Sequence, residues 1–463
     1  MLNRRDFLKS FAAAGLYCAA PGCLTFCANN KVRLAVIGIG GQGEFDLRQF
    51  AKLSNLCEVV ALCDTDLGAE PTLPALALYP KLPAFHDFRQ MFDLMADKID
   101  AVLIATPDHS HFCAAVHALR LGKSVYIEKP LAHSFEECEL LMYWAREAAK
   151  KGAVTQMGNQ GHGGSNLNQY KTYVETGVLT NITKVVSHMN MERRWHRWGG
   201  KVTGYPAVGV MPSTLDWSSW ISSAPFHPYS PDLVRGEWRC WYDYGNGCLG
   251  DWGAHIIDMI HQYSLQSALP TRVEISNVTG WNPYVFPVQA TVNFRFPATA
   301  QHGAIDLEWW EGLHNQPKPP EGFRFDSNVG LFPASTANDG LVDPKLKPGK
   351  EIYLADGTIW QGLSHASTLS RVGSAEALPD YEQAPHNHYE NFLRAVRGEE
   401  ETTSPFAVAA PLSQMLCLGV IAQRLNRSLD FDPTTRTIRG DAEATALLKS
   451  PPRRPEWDDY YHV

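Results

Sequence analysis

The chain has 463 residues, of which 44% are hydrophobic and 11% aromatic, and its formal net charge is −8. This length and apolar content suffice for two or three domains with a sizeable core. The negative charge excludes a global basic field that would attract nucleic acid. We therefore expect a globular protein that acts on small molecules and does not bind nucleic acid.

Residues 1–30 have the character of a targeting segment. Residues 3–9 read N-R-R-D-F-L-K and closely resemble the twin-arginine export signal. The apolar stretch that follows, at 11–20, is too short to span a bilayer as a mature helix. The segment predicts a periplasmic protein without an integral membrane span after export.

The end of this segment leaves two outcomes open. Residues 20–23, A-P-G-C, resemble a degraded lipoprotein box, so Cys23 either carries a lipid anchor or lies within a removed peptide. Outside residues 1–30 the cysteines are odd in number and show no CxxC spacing, so we expect buried free thiols rather than a disulfide framework. They are Cys57, Cys63, Cys113, Cys138, Cys240, Cys248 and Cys417.

From Lys31 the pattern alternates strands and helices. Nearly unbroken apolar runs indicate strands buried on both faces, as in a parallel sheet flanked by helices; they lie at 32–37, 58–63, 101–106 and 124–128. Ser134 and Glu137 form a capping box that begins a helix. These features predict an α/β fold, with a doubly wound Rossmann sheet over residues 31–157.

Beyond Gly158 the pattern changes. Residues 288–296 alternate strictly between apolar and polar, which is typical of a strand in an antiparallel sheet with one wet face. Plausible companion strands lie at 183–189, 272–278 and 303–309, long loops at 317–348, and helices at 386–397 and 411–425. We predict a second, α+β domain over 158–463 with a large open, mainly antiparallel sheet, serving substrate binding and oligomerisation.

A candidate cofactor site follows the first strand. Gly38, Gly40 and Gly43 fit the pattern G-x-G-x-x-G, and Gln42 stands within it. The glycines permit a tight turn and let backbone amides approach a pyrophosphate at a helix N-terminus. Asp64 ends the second strand, where a carboxylate binds the ribose hydroxyls and repels a 2′-phosphate. The predicted cofactor is NAD rather than NADP.

Five stretches together resemble the Gfo/Idh/MocA oxidoreductase family over essentially the whole mature chain. They are the glycine pattern, T-P-D-H-S-H at 106–111, E-K-P at 128–130, G-N-Q at 158–160 and G-D-W-G-A-H-I-I-D at 250–258. The E-K-P element and the D-x-x-x-H spacing are the specific parts. The resemblance implies an NAD-dependent oxidoreductase and a homo-oligomer.

Three residues fit the chemistry of hydride transfer. Lys129 ends a strand at the carboxyl edge of the sheet, where an ammonium can polarise a carbonyl. Asp251 and His255 have helical spacing, so we expect them on one face, where His can take a hydroxyl proton and Asp can orient the substrate. The family implies that Lys129 and His255 act on the proton and that Asp251 positions the substrate. A structural ion pair or helix cap is the alternative for Asp251 and His255.

The resemblance also suggests further contacts. Cofactor contacts are assigned to Thr106, Pro107, His111, Glu128, Lys129 and Asn159, and substrate contacts to Lys129, Gln160, His162, Arg239, Trp241, Tyr242, Asp251 and His255. The role of His109 is left open, and no metal site is predicted because nothing near the two histidines completes a ligand set. An aromatic-rich stretch, from which the contacts of Arg239, Trp241 and Tyr242 are inferred, precedes the D-x-x-x-H element. It is either a sugar platform with a charged clamp, or a packed wall or oligomer contact; its other members are Arg193, Arg194, Trp195, His196, Trp198, Trp217, Trp220, Trp238 and Tyr244.

We predict an NAD-dependent oxidoreductase acting on a secondary alcohol or ketone of a sugar, glycoside or polyol, with a 3-keto-glycoside as one such product or substrate. Two other hypotheses stay open. In the first, the protein is a glycosidase, because relatives of this family cleave glycosides by transient oxidation and elimination. In the second, it is a dehydrogenase fold that has lost catalysis and serves as a sugar or NAD sensor. Accumulation of NADH during turnover separates the dehydrogenase from both.

The export signal is testable directly. Replacing Arg4 and Arg5 together with Lys should leave folded protein in the cytoplasm, because the twin-arginine pair is the recognised feature. Cell fractionation with the unchanged chain as control measures this. Normal export of the double variant would reject the assignment, and the mass of the mature N-terminus decides between lipidation and cleavage.

Overall fold

The structure is a computed structural model, and it describes residues 31–189, 202–234, 236–299, 302–312, 314–323, 348–363, 368–374, 376–451 and 453–463. The export segment at 1–30 and part of the aromatic-rich stretch, at 190–201, lie outside these residues. So does most of the region predicted as long loops, whose described part, 317–323, has no strand or helix.

Six parallel strands form the first sheet, in the spatial order β3-β2-β1-β4-β5-β6. This order is that of a doubly wound Rossmann sheet, as predicted. The strands are β1 (Val32–Ile37), β2 (Cys57–Cys63), β3 (Ala84–Phe85), β4 (Ala101–Ile104), β5 (Ser124–Ile127) and β6 (Thr155–Met157). Since β4 and β5 are buried at every residue, the apolar runs of the sequence mark a sheet covered on both faces.

Helices connect these strands. They are α1 (Gln42–Lys52), α2 (Leu73–Leu78), α3 (Phe88–Met95), α4 (His111–Arg120) and α5 (Phe135–Ala149). The capping box at the start of α5 is present, with the Ser134 hydroxyl accepting from the Glu137 amide and the Glu137 carboxylate accepting from the Ser134 amide. The cysteines of the described chain are buried free thiols, as expected.

Nine strands of the described residues form the second sheet, in the order β13-β12-β11-β7-β10-β9-β8-β14-β15. They are β7 (Ile182–Met189), β8 (Arg272–Thr279), β9 (Gln289–Phe296), β10 (Ile305–Glu311), β11 (Gly349–Leu354), β12 (Ile359–Leu363), β13 (Ser370–Arg371), β14 (Leu429–Asp432) and β15 (Thr437–Ile438). The sheet is mainly antiparallel, as predicted, while β7 and β10 pair in parallel.

The remaining helices are α6 (Ser165–Glu175), α7 (Trp217–Ile221), α8 (Ala254–Ile256), α9 (His388–Val396), α10 (Phe406–Leu425) and α11 (Ala442–Ala446). Two π-helical turns, Leu249–Gly253 and Ile260–Ser264, flank α8. Tyr389, Phe392 and Leu393 of α9 pack into the core of the first sheet. The chain therefore returns to the Rossmann unit after building the second sheet.

Helix α10 holds the two sheets together. It contacts α5 and β6 on one side and β8, β9 and the π-helical turn at 249–253 on the other. Its length and mean hydropathy of 1.6 would suit a membrane span, but 78% of its apolar window is buried inside the protein. It begins at Phe406, ahead of the predicted 411, because Pro411 is tolerated within the helix.

Gly419 sets the distance of α10 from its neighbours. A Cβ there would lie 2.4 Å from Leu249 Cδ2 and 2.8 Å from Phe294 Cζ. The absence of a side chain thus lets α10 seat the π-helical turn at 249–253 against β9. This turn carries Asp251 into the site described below.

Gly419→Val should destabilise the protein by about 1–3 kcal/mol, because overpacking forces the neighbouring side chains to move. Gly204→Val is the matched control, since a Cβ at Gly204 meets nothing within 4 Å. Chemical denaturation measures both variants. Equal stability of the two would show that the close approach at Gly419 is not needed.

Candidate active site

A cavity of about 960 Å³ lies where the carboxyl edge of the first sheet faces the π-helical turn at 249–253. The glycine turn after β1 and the end of β2 form one side of the wall. The E-K-P element after β5, the 249–255 segment and the loop around Trp238 form the other. One continuous space therefore joins the predicted cofactor residues to the predicted catalytic residues.

The glycine turn can only be made by glycines. Gly38 has φ of +83°, and a Cβ on it would lie 2.6 Å from the Ala105 carbonyl oxygen. A Cβ on Gly43 would lie 1.9 Å from the Gly38 carbonyl oxygen, so helix α1 packs directly on the turn. Gly40, Gly41 and Gln42 line the cavity at the start of α1, where the helix dipole favours a phosphate. These residues fit the pyrophosphate of a dinucleotide.

Asp64 lies at the end of β2 on the same side. Its carboxylate accepts from the amides of Ile39 at 2.9 Å and Asp66 at 3.1 Å, and it lines the cavity. Burial raises the pKa of Asp64, and the two amide hydrogen bonds oppose that rise. The lining residues near it include Thr65, Glu70, Pro71 and His86, while the Lys and Arg side chains of the described lining are Lys129 and Arg239. This end fits ribose hydroxyls and disfavours a 2′-phosphate.

Opposite charges meet at the other end of the cavity. Lys129 Nζ donates to Asp251 Oδ1 at 2.5 Å, and their side chains are only 12% and 5% exposed. Arg239 Nε lies 3.7 Å from the same oxygen. His255 also lines the cavity, with its ring centroid 5.7 Å from that of Trp252. The structure thus brings Lys129, Asp251 and His255 together, and the wide π-helical turn between Asp251 and His255 keeps both on the cavity wall.

A pair of buried carboxyl groups lies next to Lys129. Asp46 accepts from Tyr389 Oη at 2.7 Å and from Gln42 Nε2 at 2.9 Å, while Glu128 accepts from Gln160 Nε2 at 2.8 Å. Burial raises the pKa of Asp46 to about 6, and burial with the nearby Asp46 charge raises that of Glu128 well above its usual range. Glu128 and Gln160 both line the cavity.

Thr106 and Pro107 also line the cavity, whereas the neighbouring histidines do not. The two ring nitrogens of His111 lie 2.9 Å from the Pro130 carbonyl oxygen and 2.8 Å from the Thr106 carbonyl oxygen, and the neutral ring can donate to one of them. Both ring nitrogens of His109 likewise meet backbone carbonyls. These contacts hold the loops on either side of the site, and the cofactor contact of His111 stays a prediction.

Four other residues predicted as ligand contacts are buried behind the cavity. Asn159 Nδ2 donates to Asp258 Oδ2 at 2.6 Å, and His162 Nδ1 lies 2.5 Å from the same oxygen. Trp241 Nε1 donates to a backbone carbonyl at 3.2 Å, and Tyr242 packs on a phenylalanine ring. None of the four is among the described lining residues. The first two anchor the helix that carries Asp251 and His255.

The structure adds Trp252 and Asp108 to the lining of the cavity. Trp220 and Trp238, which belong to the aromatic-rich stretch, line it as well. Burial raises the pKa of Asp108 to about 7, opposed by the charge of Arg239 and a hydrogen bond from the Asn246 amide. The aromatic-rich stretch was a signal for these tryptophans, but its periodicity does not tell which rings face inward.

Two members of the aromatic-rich stretch, Trp217 and Tyr244, pack behind Trp220. Trp217 stacks on Trp220 with centroids 4.5 Å apart, and Tyr244 packs edge-on against Trp220. Residues 193–196 and Trp198 lie outside the described residues. Among the described residues, no group of three His, Cys, Asp or Glu side chains is arranged to hold a metal ion.

The fold and this cavity define a two-domain oxidoreductase of the Rossmann class. Residues 32–158 match the family model described as oxidoreductase family, NAD-binding Rossmann fold. Residues 164–286 and 352–459 match the C-terminal alpha/beta domain of the same family. The chain belongs to the Gfo/Idh/MocA oxidoreductase family, and its first domain is an NAD-binding domain.

Curated relatives match part of the chain. A glycosyl hydrolase family 109 protein of Solibacter usitatus is 30% identical over 154 residues, which cover 29% of this chain and 34% of the relative. An inositol 2-dehydrogenase of Salmonella paratyphi B is 30% identical over 150 residues, which cover 32% of this chain and 43% of the relative. The matches therefore span less than half the length of either relative.

Solved structures share the fold. The WlbA dehydrogenase from Bordetella pertussis, in complex with NADH and UDP-GlcNAcA, superposes with a TM-score of 0.61 at 16% identity. The superposition covers 88% of this chain and 99% of that one. At this identity the likeness is one of architecture.

We expect NAD to bind at least about tenfold more tightly than NADP, equivalent to about 1.4 kcal/mol, because the Asp64 carboxylate repels a 2′-phosphate. Asp64→Ala should narrow that gap. Asp66→Ala is the control, since its carboxylate does not line the cavity. Calorimetry with both dinucleotides measures the ratio. Equal affinities for NAD and NADP in the unchanged protein would contradict the assignment.

Proposed function

We propose that this protein is an NAD-dependent dehydrogenase that acts on a secondary alcohol or ketone of a sugar, glycoside or polyol. The observation that carries the proposal is the single cavity in which the glycine turn and Asp64 share a wall with Lys129, Asp251 and His255. Hydride transfer requires the cofactor and the proton-handling groups to meet around one carbon atom. NAD supplies the hydride acceptor, and NADH the donor, when bound.

Lys129 and Asp251 prepare the site for the reacting oxygen. The hydrogen bond from Lys129 Nζ to Asp251 Oδ1 holds the ammonium on the cavity wall. There it can donate to the substrate oxygen and stabilise the negative charge that develops as the hydride moves. Because both side chains are nearly buried, little water screens this interaction. Asp251 also offers its carboxylate to a substrate hydroxyl.

His255 is the proposed proton acceptor. Its side chain lines the cavity four positions after Asp251, so the two reach the same region of bound substrate. Histidine takes or gives a proton near neutral pH, which is what oxidation of an alcohol or reduction of a ketone requires. In this acid–base pair, Lys129 contacts the reacting oxygen and His255 receives the proton.

The walls favour a carbohydrate. Trp220, Trp238 and Trp252 line the cavity, and indole rings suit the CH-rich faces of sugar rings. The relative named inositol 2-dehydrogenase, which by its name acts on a cyclic polyol, supports the same substrate class. A sugar or polyol ring in the cavity would contact the tryptophan side chains with its faces and the charged groups of Lys129 and Asp251 with its hydroxyl groups.

A glycosidase reaction is the second candidate, favoured by the relative named glycosyl hydrolase family 109 protein. Transient oxidation with elimination would return the hydride, so no NADH would accumulate. The retained Glu128-Lys129-Pro130 element favours net redox chemistry. A panel of glycosides and 3-keto-glycosides, followed by NADH absorbance and product mass, separates the two. Binding of NAD without turnover of any of them would favour a sensor.

Lys129→Ala and His255→Ala should each lower turnover by about two to four orders of magnitude, the range for removing an acid–base group. NAD affinity should change little, because the glycine turn and Asp64 lie at the other end of the cavity. Lys52→Ala and His462→Ala, both at the surface, are matched controls. Stopped-flow NADH absorbance gives the rates. Near-normal turnover in His255→Ala would remove His255 from the mechanism.

A further inference from the structure

The Arg239 side chain has hydrogen-bond donors without a partner among the residues that the structure describes. Its guanidinium makes no hydrogen bond to the described residues, and its ion pair with Asp251 is long, at 3.7 Å. The cause is competition, because Lys129 already binds the same Asp251 oxygen at 2.5 Å. The Arg239 side chain is 22% exposed and lines the cavity. A half-buried cation with unused donors in a ligand cavity favours an anionic partner.

The guanidinium is also held in a defined plane. Its central carbon lies 4.2 Å from the ring centroid of Trp238, and both residues belong to one short turn, Glu237–Cys240. Gly245 lets the chain pass close behind, since a Cβ there would lie 2.6 Å from Arg239 Cα. A guanidinium stacked on an indole keeps its N–H edge free, and that fork matches the two oxygens of a carboxylate.

The charged groups around Arg239 favour a ligand with a single negative charge. Among the described lining residues, the Lys and Arg side chains are Lys129 and Arg239, and both act on the carboxyl group of Asp108. Burial raises the pKa of Asp108 to about 7, so this carboxyl group compensates the charge of Arg239 less fully at neutral pH than an ordinary carboxylate would. A monoanion balances that charge. A dianionic phosphate would place excess negative charge beside Asp251.

We propose that Arg239 binds a carboxylate of the substrate, so that the preferred substrates are acidic sugars, the uronic acids and their glycosides. This inference rests on the proposed function, because Arg239 shares its cavity with Lys129 and His255. The uronate ring would lie against the indole faces while its carboxylate meets the guanidinium. Its hydroxyl-bearing carbons would then be directed toward Lys129 and His255.

The arrangement predicts a pH dependence for binding. Asp108 faces Arg239, Lys129 and Asp251 and accepts from the Asn246 amide. Above a pH of about 7 its carboxylate would repel a bound uronate and compete for Arg239. Affinity for a uronate should therefore fall as pH rises through that value. Affinity for a neutral glycoside should stay nearly constant over the same range.

The test is calorimetric binding to the NAD-loaded full chain. The probes are methyl glycosides of glucuronic, galacturonic and mannuronic acid, each paired with its uncharged methyl ester. At least one acid should bind about tenfold more tightly than its ester. Arg239→Gln should remove that preference while leaving ester affinity within about twofold, and Arg239→Lys should restore part of it. Arg427→Gln, at the surface, should change neither.

The binding measurements can reject the uronate inference in several ways. The inference would be overturned if acid and ester bound the unchanged protein equally, or if Arg239→Gln weakened the binding of both equally. It would also be overturned if no acid bound at about 10 mM, which corresponds to a binding free energy weaker than about 3 kcal/mol. Tighter binding of a sugar phosphate than of any uronate would do so too. Arg239-dependent uronate binding without NADH formation would uphold the inference and reject the dehydrogenase proposal. If NADH formed from neutral glycosides and acids were not preferred, the dehydrogenase proposal would be upheld and the uronate inference rejected.

Discussion

The ion pair between Lys129 and Asp251 is the contact on which the site depends. Lys129 stands at the end of a strand of the first sheet, and Asp251 lies in a π-helical turn packed on the second sheet. Both side chains are nearly buried, so removing one partner would leave the other charge with weaker compensation in a poorly solvated place. The distance between the two domains at the cavity is therefore set by the same groups that would handle the substrate oxygen.

The protein supports this ion pair from behind. Helix α10 contacts elements of both sheets, and Gly419 lets it press the Asp251 turn against β9. Asp258, on the same helical segment as Asp251, is held by Asn159 and His162, which begin the second domain. Such a rigid scaffold suits a reaction in which small displacements of reacting groups reduce the rate strongly.

Sequence patterns predicted the parts of the fold that follow local rules. The glycine turn, the apolar parallel strands and the Ser134 capping box each have one simple physical cause. Strand β11 escaped prediction because Lys350 and Glu351 are polar but buried. Lys350 donates to the Ile256 carbonyl at 3.0 Å, and Glu351 lies 3.1 Å from His188 Nε2. Partners so distant in sequence give no local pattern.

The same limit applies to the site. Lys129, Asp251 and His255 stand in recognisable motifs, and the structure brings them to one cavity. His111 and Asn159 stand in equally recognisable motifs, yet neither is among the described lining residues, and the Asn159 amide nitrogen donates to Asp258. Motif position alone does not tell a residue that contacts a ligand from one that holds a neighbouring segment in place.

In the proposed reaction, the substrate and NAD meet in the cavity that Lys129, Asp251 and His255 line. Transfer of deuterium tests this meeting: sugars deuterated at single ring carbons are incubated with NAD, and the mass of the nicotinamide is measured. We expect deuterium from one carbon to appear in NADH with the unchanged protein and not with Lys129→Ala. Deuterium released only to water, or retained on the sugar in every case, would contradict it.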